Sequence, residues 1–124
     1  MKEEVKKWWR LAKDDLKSAR VNFKSKQYYV CAFLCQQTVE KALKSALIKK
    51  AGKLLKIHDL VILGKKVNLP EDLLEKCDKL NGVYIDTRYG DVGGKLPSQK
   101  FTKSVSSALL KTAKEVVKWL EKNI

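Results

Sequence analysis

The sequence predicts an all-α fold: an up-and-down bundle of about five helices, three long and two short. Three observations carry this expectation. Apolar residues recur at intervals of three and four through nearly the whole chain, the spacing that gathers side chains on one face of an α-helix. Strand-like alternation occurs nowhere. Connections between the periodic stretches are short, which makes successive helices antiparallel neighbours. The 124 residues amount to one domain, 1–124, because domains most often run about 100–150 residues.

The first helix spans about Glu3 to Lys24. Val5, Trp8, Ala12, Leu16, Ala19 and Phe23 form its apolar stripe, and Lys7, Lys13, Asp14 and Lys17 lie off it. Trp8 and Trp9 are adjacent, so one of them belongs at the stripe's margin, as a core or interface anchor. The stretch 24–27 breaks the pattern. The second helix runs from about Gln27 to Ala51, with Gly52 as its stop. Its first half, YYVCAFLC, is apolar on every side. Such a segment is buried all round, which calls for a central bundle position, a subunit interface, or both. Its second half turns polar while Val39, Leu43, Ala46 and Leu47 continue the inner stripe.

A shorter helix comes after His58-Asp59, with Leu60, Leu63 and Val67 inward and Asp59 in the first turn, where the helix dipole favours an acid. Leu69-Pro70-Glu71-Asp72 opens the next, since proline and acids suit a first turn. Leu73, Leu74, Cys77 and Leu80 are its apolar side, and Gly82 is its expected end. Residues 82–98 hold four of the six glycines and Pro97, and are expected as a long loop of the kind that often carries function. The last helix opens near Ser98 as N-cap. Phe101, Val105, Ala108, Thr112, Val116 and Trp119 line its inner face.

Composition narrows the function. A hydrophobic share of 44% supplies a core and argues against disorder. The length excludes a multidomain enzyme. Lys+Arg number 27 against 14 Asp+Glu, a net charge of +13. Only Arg10, Arg20 and Arg88 are arginines, so the surplus is lysine spread over nearly every helix. It favours anionic partners without naming one. The longest apolar run, Tyr28 to Cys35, falls well short of the ~18 residues of a membrane span. The N-terminus has no apolar signal segment, so a cytoplasmic location and no membrane partner are expected. Three cysteines argue against a disulfide framework. Cys31 and Cys35 share a helix face, and with His58 they make an incomplete set for zinc. They read as small core residues, and neither metal nor cofactor is expected.

The ordered set of motifs resembles a known family. CQQTVEKALKSAL (Cys35 to Leu47), IHDL (Ile57 to Leu60) and Tyr84-x-x-Thr87-Arg88-Tyr89-Gly90-Asp91 succeed one another on helices of suitable length. WWRLAKDDLKSARVNF precedes them. Together they look like a HEPN domain (higher eukaryotes and prokaryotes nucleotide-binding domain), from Trp8 to Trp119. The resemblance implies a helical bundle that commonly dimerises. It also implies frequent pairing with a small nucleotidyltransferase in a toxin–antitoxin-like two-component system. Many family members cleave or process RNA; others are non-catalytic and bind nucleotides or support the nucleotidyltransferase.

The family's ribonuclease pattern is R-x4-6-H, in which histidine moves the proton and arginine steadies the phosphorane. Counting shows it is missing. Arg10 is followed at those spacings by Asp15, Leu16 and Lys17; Arg20 by Ser25, Lys26 and Gln27; Arg88 by Gly93, Gly94 and Lys95. The lone histidine, His58, precedes Arg88. The expectation is therefore a non-catalytic homodimeric module, a nucleotide-binding or partner subunit. The alternative is an RNA-binding or RNA-cleaving protein in which Arg88 and His58 meet in space.

Two groups of residues are the candidate site. Gln36, Glu40 and Lys44 are four apart and share a face of the second helix, flanked by Gln37 and Lys41. They would form either a groove in which Lys41 or Lys44 meets phosphate, or an internal network in which Glu40 pairs with a lysine. In the glycine-rich segment, Arg88 offers a planar fork for phosphate, and Tyr84 and Tyr89 offer rings for a base. Asp91 accompanies them. Alternatively Arg88 pairs with Asp86, Asp91 or Glu40 and pins the segment. Gly90 stands where the family usually has proline.

Overall fold

The computed structural model describes residues 2–88 and 96–124. Met1 and residues 89–95 lie outside the described residues, as do the side chains of Lys2, Ile85, Thr87 and Arg88. The fold is an all-α bundle. Its elements are α1 (Lys2–Lys24), α2 (Tyr28–Ala51), α3 (Leu60–Lys66), α4 (Glu71–Arg88), α5 (Pro97–Lys100) and α6 (Lys103–Asn123).

α2 is the central helix, packed against α1, α6, α4 and α3. In its apolar first half Cys31, Ala32 and Cys35 are fully buried, as are Val39, Ala42 and Leu43 further along, whereas Tyr29 is exposed and Tyr28, Val30, Phe33 and Leu34 are half-buried, so the bundle does not cover that half all round. The Val39 and Leu43 side chains so buried each contribute about 1.5–3 kcal/mol. α1 lies antiparallel to it. Ser45 Oγ donates to the Val5 carbonyl at 2.7 Å, and Lys41 Nζ meets Asp15 Oδ2 at 2.6 Å. α6 runs parallel to α2, with Ser106 Oγ donating to the Tyr28 carbonyl near one end and Lys49 Nζ to the Ile124 carbonyl near the other. Trp8 and Trp9 are both half-buried, and Trp9 packs against the core.

The α1–α2 turn is a Schellman cap. Lys26 adopts φ 63°, Lys26 N–H donates to the Phe23 carbonyl, and Gln27 N–H donates to the Asn22 carbonyl. A lysine thus occupies a backbone region that glycine takes without cost. Gly52 closes α2 as expected, at φ 75° with its N–H on the Ile48 carbonyl.

Three boundaries differ from expectation. α4 does not stop at Gly82 but continues to Arg88, because buried Val83 and Asp86 extend the stripe of Leu73, Leu74, Cys77 and Leu80. The expected loop over 82–98 therefore begins later. At its other end Pro97–Lys100 is already helical, with the Leu96 N–H donating to Gln99 Oε1 at 2.9 Å. Ser98 lies inside that turn, and the N-cap of α6 is Thr102, whose hydroxyl accepts from the Val105 N–H. Asp59 likewise precedes α3 as its N-cap rather than entering the first turn.

Candidate functional site

One turn apart along α2, Gln36, Glu40 and Lys44 converge as their spacing requires, and all three are buried. Gln36 Nε2 donates to Glu40 Oε1 at 3.1 Å, and Lys44 Nζ donates to Oε2 at 3.0 Å. Gln37 Nε2 donates to Gln36 Oε1 at 2.7 Å and orients that amide. The Lys44 ammonium also lies 5.5 Å from the centroid of a Trp8 ring, so an aromatic face shields it on the other side.

His58 completes the cluster. Its Nδ1 is 3.1 and 3.0 Å from the two oxygens of Glu40. An ionised carboxylate only accepts, so Nδ1 carries the hydrogen and donates. The side chain of Glu40 is 7% exposed and that of His58 57%, so a buried carboxylate holds a ring that reaches solvent. The imidazole stacks on Tyr84, centroids 5.0 Å apart and planes 19° from parallel.

The next residue in the chain fixes the position of His58. Asp59 Oδ1 accepts from the Val61 and Ile62 N–H groups at 2.9 and 3.2 Å. Asn81 of α4 donates to that oxygen at 3.0 Å, while its own Oδ1 accepts from the Leu60 N–H at 2.8 Å. The start of α3 is thereby fastened to α4, and His58 is delivered against α2 on one side and Tyr84 on the other. Asn81 carried no signal in the sequence beyond an Asn-Gly pair, which reads as a turn.

The remaining site candidates separate. Lys41 turns away to Asp15 of α1. Arg88 is one turn beyond Tyr84 on α4, a position on the same helix face, and its side chain lies outside the described residues. Tyr89 and Asp91 also lie outside the described residues. Asp86 is buried and paired with Lys100 of α5. Among the described residues no buried side-chain nitrogen or oxygen lacks a partner, so the Glu40 cluster is internally satisfied. The ring edge of His58 remains its route to solvent.

Among the described residues, no three His, Cys, Asp or Glu converge as metal ligands. Cys31 and Cys35 are buried free thiols one turn apart on α2. The Cys35 thiol holds Cys31 below the usual thiol range, and the charge of Lys114 adds to this against the opposing cost of burial. The neighbouring Cys31 thiol, with burial, pushes Cys35 up. Burial pushes Cys77 up to about 12. No helix among the described residues is long and apolar enough to cross a membrane.

Comparison with known proteins agrees with this architecture. The HEPN domain family model matches residues 5–123. TT1696 from Thermus thermophilus superposes with a TM-score of 0.89 at 26% identity, over 97% of this chain and 98% of that one. ST0689, described as an archaeal HEPN homologue, superposes with a TM-score of 0.81 at 28% identity, over 95% of each chain. Among curated proteins none matches.

Proposed function

The chain belongs to the HEPN domain family, and from that premise we propose that it is a non-catalytic, nucleotide-binding member. We infer that it acts as a homodimer and serves as partner to a minimal nucleotidyltransferase in a toxin–antitoxin-like pair. The observation that carries the nucleotide reading is the His58–Tyr84 stack anchored on Glu40, one helical turn from Arg88. Stacked rings beside an arginine position offer what a nucleotide needs: an aromatic platform for the base and a cation for phosphate. Lys44 and Lys41 are committed to Glu40 and Asp15, which leaves the phosphate to Arg88. Calorimetry with nucleoside triphosphates tests this. Binding that is lost in Arg88→Ala and weakened in His58→Ala supports it; no heat with any of the four triphosphates refutes it.

The dimer reading rests on α2. Tyr29 is 39% exposed, and Val30 and Phe33 are half-buried beside it on the central helix. A second copy would cover this apolar face. Sedimentation of wild type and Tyr29→Glu reports it: a dimer that becomes a monomer is the expected result, and a wild-type monomer at all concentrations overturns it. Copurification after coexpression with a small nucleotidyltransferase tests the partnership.

One observation favours a second reading, metal-independent RNA cleavage. Glu40 orients the ring through Nδ1, which leaves His58 Nε2 as the proton-transfer atom. RNA cleavage in chelator that is abolished by both His58→Ala and Glu40→Gln would establish it.

A further inference from the structure

The two ends of the chain build a second polar region, far from His58 in the element order. α1 and α6 run antiparallel, held in register by Lys13 Nζ on Glu121 Oε1 at 3.1 Å. Further along the pair lies a groove of about 470 Å³. Arg20 and Lys24 line it from α1, Lys111 and Lys114 from α6, and Phe23 and Leu110 supply apolar surface between the two rows. Ser107 is the hydroxyl of the lining.

The acids near these cations on α1 and α6 are already engaged. Asp14 pairs with Arg10, Asp15 with Lys41, Glu115 with Lys76 and Glu121 with Lys13. The other acids of α1, Glu3 and Glu4, sit in its first turn, at the opposite end. Arg20, Lys24, Lys111 and Lys114 make no ion pair among the described residues. Within each row successive cations are three or four residues apart, about 4.5–6 Å along the axis. Lys17 and Lys118 continue the rows by the same spacing. Such an arrangement is self-repelling. A linear anion with charges at regular intervals relieves that repulsion along its whole length.

We propose that the α1–α6 groove binds the phosphodiester backbone of a single-stranded nucleic acid. Lysine is a mobile point charge that meets phosphate oxygens without reading bases, so binding is sequence-tolerant. Half-buried Phe23 gives sugars and base faces an apolar surface between the rows, with buried Leu110 beneath it. A strand suits the lining better than an acidic peptide does. A peptide in a groove also needs acceptors for its amide N–H groups, and among the lining side chains Ser107 alone can accept. The site goes beyond the nucleotide reading and uses none of its residues.

The test is fluorescence anisotropy on the full chain across a salt series. The probes are a labelled 12-nucleotide RNA, the DNA of the same sequence, and an acidic peptide of equal charge. Lys111→Ala/Lys114→Ala is compared with Lys65→Ala/Lys79→Ala, which removes the same charge from exposed positions elsewhere. Each lost phosphate contact takes about 0.7 from the slope of log K against log salt. The groove pair should therefore lower the slope by about 1.4 and weaken strand binding about tenfold at moderate salt, against about twofold for the control. Lys111→Arg/Lys114→Arg should retain binding. The tighter of the two strands identifies the natural ligand. Equal losses in the groove and control pairs, or no strand binding by wild type at low salt, overturns the proposal. A peptide that binds tighter than either strand also overturns it and assigns the groove to an acidic protein.

Discussion

Lys44 on α2 and Lys114 on α6 lie on packed neighbouring helices and carry the same charge, yet they live in opposite regimes. Lys44 is buried, bonded to Glu40 at 3.0 Å and faced by a Trp8 ring. Lys114 is exposed in a groove whose cations meet no acid among the described residues. Around Glu40, position is over-determined: three donors on one carboxylate, an amide held by Gln37, a ring held by Tyr84. Along the α1–α6 groove no ion pair among the described residues fixes the cations. The first region is rigid because its charges neutralise one another, and the second keeps its charge available. A preorganised cluster suits a small ligand that must be oriented. Free lysines suit a long anion that needs only neutralising.

The largest expected effect breaks the buried side of this contrast. Glu40→Ala strands the Lys44 ammonium inside the bundle without a counter-charge and frees Gln36 and His58. Removing one partner of a buried pair costs about 3–5 kcal/mol, and urea denaturation reads it directly. A loss below about 1 kcal/mol, typical of exposed pairs, would mean that water reaches the cluster and that the two regions do not differ. His58→Ala should cost less, about 0.5–1.5 kcal/mol, since Glu40 keeps Lys44 and Gln36 and the one hydrogen bond lost comes from a ring 57% exposed to solvent. A drop as large as that of Glu40→Ala would instead make His58 a structural keystone, and would weaken its assignment as a ligand platform.

The legible parts of the molecule were those that one helix decides alone. Gln36, Glu40 and Lys44 had to meet because residues four apart on a helix always do. The apolar run from Tyr28 to Cys35 marked α2 as central for a similar local reason. What depends on two helices meeting left no trace in the pattern. Lys41 lies on the same helix only three residues before Lys44, but α1 presents Asp15 to it. His58 reaches Glu40 only because Asn81 and Asp59 fasten α3 to α4. The groove was invisible because spread lysines become two facing rows only when the chain's two ends lie side by side. Gly82 misled for a subtler reason. Glycine ends a helix by entering the left-handed region, as Gly52 does at φ 75°, whereas Gly82 is exposed and keeps helical backbone inside α4. A Cβ built on it meets nothing within 4 Å. Gly82→Ala should accordingly raise stability by about 0.5–1 kcal/mol through lower chain entropy in the unfolded state. Thermal denaturation of the variant checks this.

The smallest expected effect is the sharpest discriminator between the two regions. Lys111→Ala/Lys114→Ala removes two charges that make no ion pair among the described residues, at exposed positions on a helix where alanine is the better helix former. Nothing attractive is lost, and repulsion from Arg20, Lys24 and the rest of a +13 chain is relieved. Stability at low salt should therefore stay within about 0.5 kcal/mol of wild type or rise slightly. Any gain should vanish near 1 M salt, where the Debye length falls to about 3 Å. Urea denaturation at both ionic strengths checks this. A loss above about 1 kcal/mol, unaffected by salt, would show that these lysines are packed by their stems rather than kept free. The groove would then belong with the Glu40 cluster as a structural region, and the contrast between a neutralised charge and an available one would fail.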